Sequence, residues 1–218
     1  MTRGIAIIVS LVAMSGVARA DRYEAVVGVR AVGVLARIGD DSTTGPITTT
    51  APGGGLAVRF AWGVRNYLDL GGEVTGVALT QASYENASRP ISNTANAGTL
   101  TRTTRLAHAQ VGATFRFGVR WVPLVGVGVG AGVRHRSTAT LRVVTPSGSS
   151  ADLVPDDGES TTTVDLVASA RVGLDYRANR RLTVGLALGA TECLGASVPD
   201  LQLLEAGLHL SYTWYPLW

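Results

Sequence analysis

A chain of 218 residues suits a single domain, and at 46% hydrophobic residues it has enough apolar surface to bury a core or to face lipid. All 19 basic residues are Arg against 16 acids, and removing Arg3 and Arg19 with the leader described below leaves 17 Arg against 16 acids. That near balance excludes the clustered basic surplus of a nucleic-acid-binding protein. A single cysteine, Cys193, excludes an intramolecular disulfide framework.

Residues 1–20 read as a cleavable export signal. Arg3 gives a positive start, Gly4 to Val17 form an apolar stretch, and Ala18-Arg19-Ala20 before Asp21 is an A-x-A cleavage box. The apolar stretch is too short for a membrane helix. No Cys follows the cut to carry a lipid anchor. The mature domain is expected at 21–218.

Beyond the leader the hydrophobic pattern has period two, the signature of a strand with one apolar face. In chain order, strands are expected near 23–37; at 56–65, where Leu56, Val58, Phe60, Trp62 and Val64 share a face; near 68–82; and at 106–121, where Ala107 to Trp121 alternate with His108, Gln110, Thr114, Arg116 and Arg120. A fifth at 125–133 alternates Val with Gly126, Gly128, Gly130 and Gly132. The last three fall at 164–177, 182–191 and 203–215.

Three features favour a barrel over a soluble sandwich. Connections alternate between long (39–54, 83–103, 144–161, with a moderate one at 192–201) and short (65–67, 120–123, 177–180), as in barrels with long external loops and short periplasmic turns. The aromatics Tyr23, Trp62, Tyr67, Phe115, Phe117, Trp121, Tyr176, Trp214, Tyr215 and Trp218 gather at the short-turn end, the level that interfacial rings prefer. Arg, Glu and Asp recur mid-strand on the polar face, where a lumen accommodates them. The expected fold is all-β: a closed eight-stranded antiparallel up-and-down transmembrane β-barrel. The Ser-, Thr-, Gly- and Pro-rich stretches between strands are expected to be solvated loops.

With leader, strand number, loop order and the ending Tyr212-Thr213-Trp214-Tyr215-Pro216-Leu217-Trp218, the chain resembles the small bacterial outer-membrane β-barrel proteins typified by the OmpA membrane domain and OmpX. The resemblance is one of architecture. It implies residence in the bacterial outer membrane, contact with outer-membrane lipid and lipopolysaccharide, and a monomer. It also implies that Tyr212, Trp214 and Trp218 form the signal read by the outer-membrane assembly machinery. Pro216 departs from an ideal terminal strand because it cannot donate a ladder hydrogen bond.

Candidate chemistry is sparse. His135-Arg136-Ser137 resembles the His-x-Ser pair of the small outer-membrane lipid A deacylase, but a hydrolase needs an acid to orient the His, and Glu159 and Asp165 have inward parity. Asp156-Asp157-Gly158-Glu159 lacks the spaced ligands of a calcium loop. The glycines at 126–132 lack the Lys and the strand-to-helix context of a phosphate loop. Cys193 reads as a small hydrophobe. No catalytic, metal or cofactor site is expected.

The informative set is the inward polar one: Arg30, Arg59, Glu73, Arg116, Arg171, Glu205 and His209. Arg59 and Glu73 are expected to pair across adjacent strands. An eight-stranded barrel has an interior only about wide enough for its own side chains, so these groups are expected to plug the lumen. A structural or surface-interaction role follows, with a narrow solute channel as the alternative and a lipid-modifying enzyme third.

Overall fold

The computed structural model describes residues 24–40, 42, 45–144, 148–195 and 201–215. The leader, Tyr23 and Trp218 lie outside the described residues. The described chain is built of strands: β1 (Ala25–Asp40), β2 (Ile47–Arg65), β3 (Leu68–Leu79), β4 (Ala82–Ile91), β5 (Thr94–Arg102), β6 (Thr104–Arg116), β7 (Trp121–Arg136), β8 (Thr140–Val144), β9 (Ser150–Leu153), β10 (Thr161–Arg177), β11 (Leu182–Gly195) and β12 (Leu201–Trp214).

Eight of these close into an antiparallel barrel in the circular order β1, β2, β3, β6, β7, β10, β11, β12. β12 returns to β1, with Val26 opposite Thr213 and Ile38 opposite Leu201. Alternate side chains point in opposite directions from a strand. Val29, Leu56, Val111, Leu166, Leu188 and Leu208 therefore stand out from the wall, while Arg30, Glu73, Arg116, Arg134 and Glu205 are buried in the lumen. A lipid-spanning strand needs about 9–11 tilted residues. The barrel strands run from 12 to 19, so the longer ones project beyond the apolar band.

The remaining strands form a second sheet, ordered β4, β5, β8, β9, over the long-loop end of the barrel. Here the structure corrects the sequence reading, because 83–103 and 144–161 are not plain loops. Tyr84, Ala87, Leu100 and Leu141 are buried, and too few apolar residues separate them for the alternation to stand out. The β4–β5 hairpin turns through Ser92 (φ 49°) and Asn93 (φ 60°), both left-handed, the geometry that suits a two-residue hairpin.

Other boundaries move for local reasons. The stretch 39–54 is mostly strand: Ile47 already pairs with Asp40, since Thr-rich sequence is favourable in a strand whether or not lipid faces it. β11 runs on to Gly195 and β12 starts at Leu201, which shortens the connection expected at 192–201. The run 106–121 breaks at Arg116, so the turn is 117–120 and not 120–123. Gly118 adopts φ 105°, and the Phe117 N–H donates to the Pro123 carbonyl at 3.0 Å. A Cβ on Gly118 would sit 2.3 Å from the Trp121 carbonyl oxygen.

Candidate functional site

The lumen is filled in levels. Nearest the short turns, the Arg116 guanidinium lies between Asp69, at 2.7 Å, and Glu24, with Arg177 3.7 Å from the same Glu24. Arg59 donates to the Thr114 hydroxyl at 2.8 Å and lies 3.9 Å from Asp69. Above them Glu73 receives Arg30 at 2.8 Å and Arg171 at 2.6 Å. Arg30 also reaches Glu205 at 3.1 Å, and Thr191 donates to that carboxylate at 2.7 Å. Gln110 donates to Glu73 at 3.3 Å and accepts from Ser169 at 2.6 Å. To one side His209 meets Asp175 at 2.8 Å, and higher up Arg134 meets Asp165 at 2.7 Å.

Glycines make these contacts possible by leaving space. Gly185 lies between Asp175 and His209 on the intervening strand, and a Cβ there would come within 2.2 Å of Asp175 Oδ1 and 2.4 Å of His209 Cε1. A Cβ on Gly126 would approach Arg171 Nε to 2.9 Å.

An apolar layer covers the ionic one. Val34, Ala36 and Ile38 of β1 pack with Val77 and Leu79 of β3, Val167 of β10, Cys193 of β11 and Leu201 and Leu203 of β12. Tyr84, Leu100 and Leu141 of the second sheet belong to the same cluster, so the sheet is fused to the barrel's mouth. At that mouth Asp40 gathers Arg89 at 2.6 Å, Arg136 at 2.6 Å and Arg102 at 3.6 Å. Arg89 also binds Asp157 at 2.5 Å, while Asp156 accepts the Ser92 and Asn93 N–H groups, each at 3.1 Å. Burial pushes the Tyr84 phenol up to about 12, and the Asp40 carboxylate adds to the effect. Burial, then neighbouring Arg136, lowers the Arg102 guanidinium.

All seven inward residues singled out in the sequence thus enter the lumen, but the one pair expected among them does not form. Arg59 and Glu73 are register partners across β2 and β3, yet Arg59 turns to Asp69 and Thr114. The expected pair is replaced because Arg30 and Arg171, reaching in from β1 and β10, occupy the Glu73 carboxylate, and Arg59 turns to Asp69 on the same neighbouring strand. Asp165, inward by parity, joins the network, and so do Glu24, Asp69, Arg134, Asp175 and Arg177, which the sequence did not single out. Asp69, Asp175 and Arg177 carry the right parity but sit near strand ends, where a mid-strand criterion overlooks them.

His135 and Ser137 do not engage each other. His135 Nδ1 lies 3.1 Å from the Thr162 hydroxyl, and Ser137 accepts the Thr103 N–H at 3.0 Å and donates to the Thr138 carbonyl at 3.2 Å. Among the described residues, no three His, Cys, Asp or Glu side chains converge as metal ligands would. At the short-turn end the Trp214 ring lies 6.1 Å from Phe60, and Arg181 donates to the Tyr212 hydroxyl at 3.3 Å.

A closed eight-stranded meander with an apolar outer wall and a charged interior defines the class of small membrane-spanning β-barrels. No protein-family model and no curated protein matches the chain. Solved structures do. Neisserial surface protein A is 12% identical over 86% of this chain and 97% of its own, with a TM-score of 0.50. The attachment invasion locus protein Ail of Yersinia pestis is 13% identical over 89% and 100%, with a TM-score of 0.49. OprG from Pseudomonas aeruginosa is 10% identical over 91% and 99%, with a TM-score of 0.48. At 12% identity the likeness to Neisserial surface protein A is one of fold alone.

Proposed function

We propose that this protein is a plugged barrel of the bacterial outer membrane that holds a rigid sheet at the cell surface, with a structural or surface-interaction role. The observation that carries the reading is the paired charge across the lumen under an apolar layer. Six arginines (Arg30, Arg59, Arg116, Arg134, Arg171, Arg177) face six acids (Glu24, Asp69, Glu73, Asp165, Asp175, Glu205). A conducting pore would instead need a hydrated lining whose charge is not spent on internal pairs. The membrane-facing wall supports the location: mid-strand outward residues are almost all Val, Leu, Ala and Gly, which only lipid would solvate favourably.

In this reading the short turns face the periplasm and β4, β5, β8 and β9 face outward. Outer-membrane lipids and the assembly machinery are the partners, and the working state is a monomer. The separate engagements of Ser137 and His135 speak against a deacylase-like pair.

Planar-bilayer recording of the purified, refolded protein tests the plug. Conductance should stay at the noise level. A large, stable, ion-selective conductance in the unmutated protein would replace this reading with that of a solute channel.

A further inference from the structure

On the outer wall, where β10, β11, β12 and β1 meet, the apolar surface is hollow. Ala168, Ala170 and Ala190 present only methyl groups, while Leu35 and Leu204 stand out at 50% and 63% exposure. The hollow measures about 580 Å³, within the ~300–1,000 Å³ range of ligand clefts. A second hollow of about 340 Å³ shares Ala170 and Ala190 and continues between Val127 and Leu188 toward the short turns. Together they make a furrow running along β10 and β11.

The long-loop end of this furrow is polar. The register aligns Thr50, Arg37, Gln202 and Glu192 on four successive strands, all pointing outward. Gln202 donates to Glu192 at 3.3 Å, so an amide already engages the one carboxylate of the row. Arg37 is its one cation and makes no ion pair among the described residues. Along β1 the outward residues read Val27, Val29, Ala31, Gly33 and Leu35 before Arg37, which therefore stands where the apolar wall gives out.

We propose that the furrow binds a phosphorylated, acylated glycolipid of the outer leaflet, one acyl chain lying along Ala168, Ala170 and Ala190 and a phosphate resting on Arg37. The proposal rests on the outer-membrane reading above. A guanidinium binds phosphate through two parallel N–H donors, and at the edge of lipid it faces less competition from water. A single acyl chain is convex and fills a concave wall. Two copies of the chain, meeting through their hollows, would leave a void between them, and voids forfeit packing. A second copy is thus the poorer occupant.

Native mass spectrometry of the full-length protein in detergent tests this, with bisphosphorylated lipid A, dephosphorylated lipid A and phosphatidylglycerol as probes. Bisphosphorylated lipid A should stay bound through desolvation and the other two should not. Arg37→Gln should lower its occupancy about tenfold, the scale of one lost charge-assisted contact. Ala170→Phe should fill the furrow and release the lipid, and Leu208→Phe, outside the furrow, should leave binding unchanged. Heat-dependent gel mobility verifies that each variant is folded. Equal retention by the unmutated protein, R37Q and A170F overturns the proposal, as does retention of phosphatidylglycerol as strong as that of lipid A, or a dimer in place of a lipid adduct. Fractionation of the same cells keeps the two readings apart. Protein found outside the outer membrane would sink the location, whereas outer-membrane protein that retains no lipid A would sink only the furrow.

Discussion

Arg30 and Glu73 meet 2.8 Å apart inside the barrel although β2 lies between their strands. Glu73 also holds Arg171, which comes from the opposite wall. Removing one partner of a buried ion pair leaves an uncompensated charge and costs about 3–5 kcal/mol. Glu73→Ala should therefore destabilise the barrel on that scale, toward its lower end because Arg30 keeps Glu205 and the Arg171 side chain is 20% exposed. Glu73→Gln, which retains an acceptor, should lose less. Urea unfolding in lipid vesicles measures both. A loss below about 1 kcal/mol, the scale of a solvated pair, would mean that water reaches these groups freely.

Gly185 and Gly126 should resist enlargement. In Gly185→Val the new side chain must separate Asp175 from His209, and in Gly126→Leu it must push Arg171 away from Glu73. Overpacking costs about 1–3 kcal/mol, to which a broken pair adds. Gly54→Val is the control, since Gly54 points outward, where a Cβ comes no nearer than 3.4 Å to another atom. The interior variants should refold in lower yield than G54V; equal yields for all three would argue that the lumen has slack.

Asp40→Asn should loosen the second sheet without unfolding the barrel. It removes the carboxylate that holds Arg89, Arg102 and Arg136 together at the mouth. Local opening draws on the least protected parts of a structure. Hydrogen exchange across 82–102 should speed up about a hundredfold, equivalent to ~3 kcal/mol, with β10 and β11 unchanged. Uniform acceleration throughout the barrel would show instead that sheet and barrel open as one unit.

Tyr84 gives the second sheet a sensitivity to alkali. Its folded-state pKa is raised to about 12 by burial, above the unfolded value of about 10. The folded state therefore keeps the proton longer than the unfolded one. This stability is fully present below about pH 10 and is lost as pH rises through about 12, by roughly 3 kcal/mol in all. A phenolate absorbance titration should show a late component for Tyr84, and Tyr84→Phe should remove it. A late component that persists in Y84F would assign it to another tyrosine.

The number of barrel strands, the parity of each and the two longest connections between them, after β3 and β7, were legible in the sequence. All three are local properties: a period of two fixes which residues share a face before any partner strand is known. Arg30, Arg171 and Glu205 could therefore be placed inside without a structure. Which acid each Arg meets was decided only by closure of the barrel, because partners across a lumen depend on stagger and diameter, which no single strand encodes. Arg171, which crosses from β10 to Glu73 on β3, is the plainest example. The second sheet also waited for tertiary structure. Tyr84, Leu100 and Leu141 become a core only when two connections more than 30 residues apart in the chain fold over Ile38, Leu79 and Leu201 at the same mouth. Burial supplied by the barrel beneath, and no strong pattern of their own, makes those segments strands.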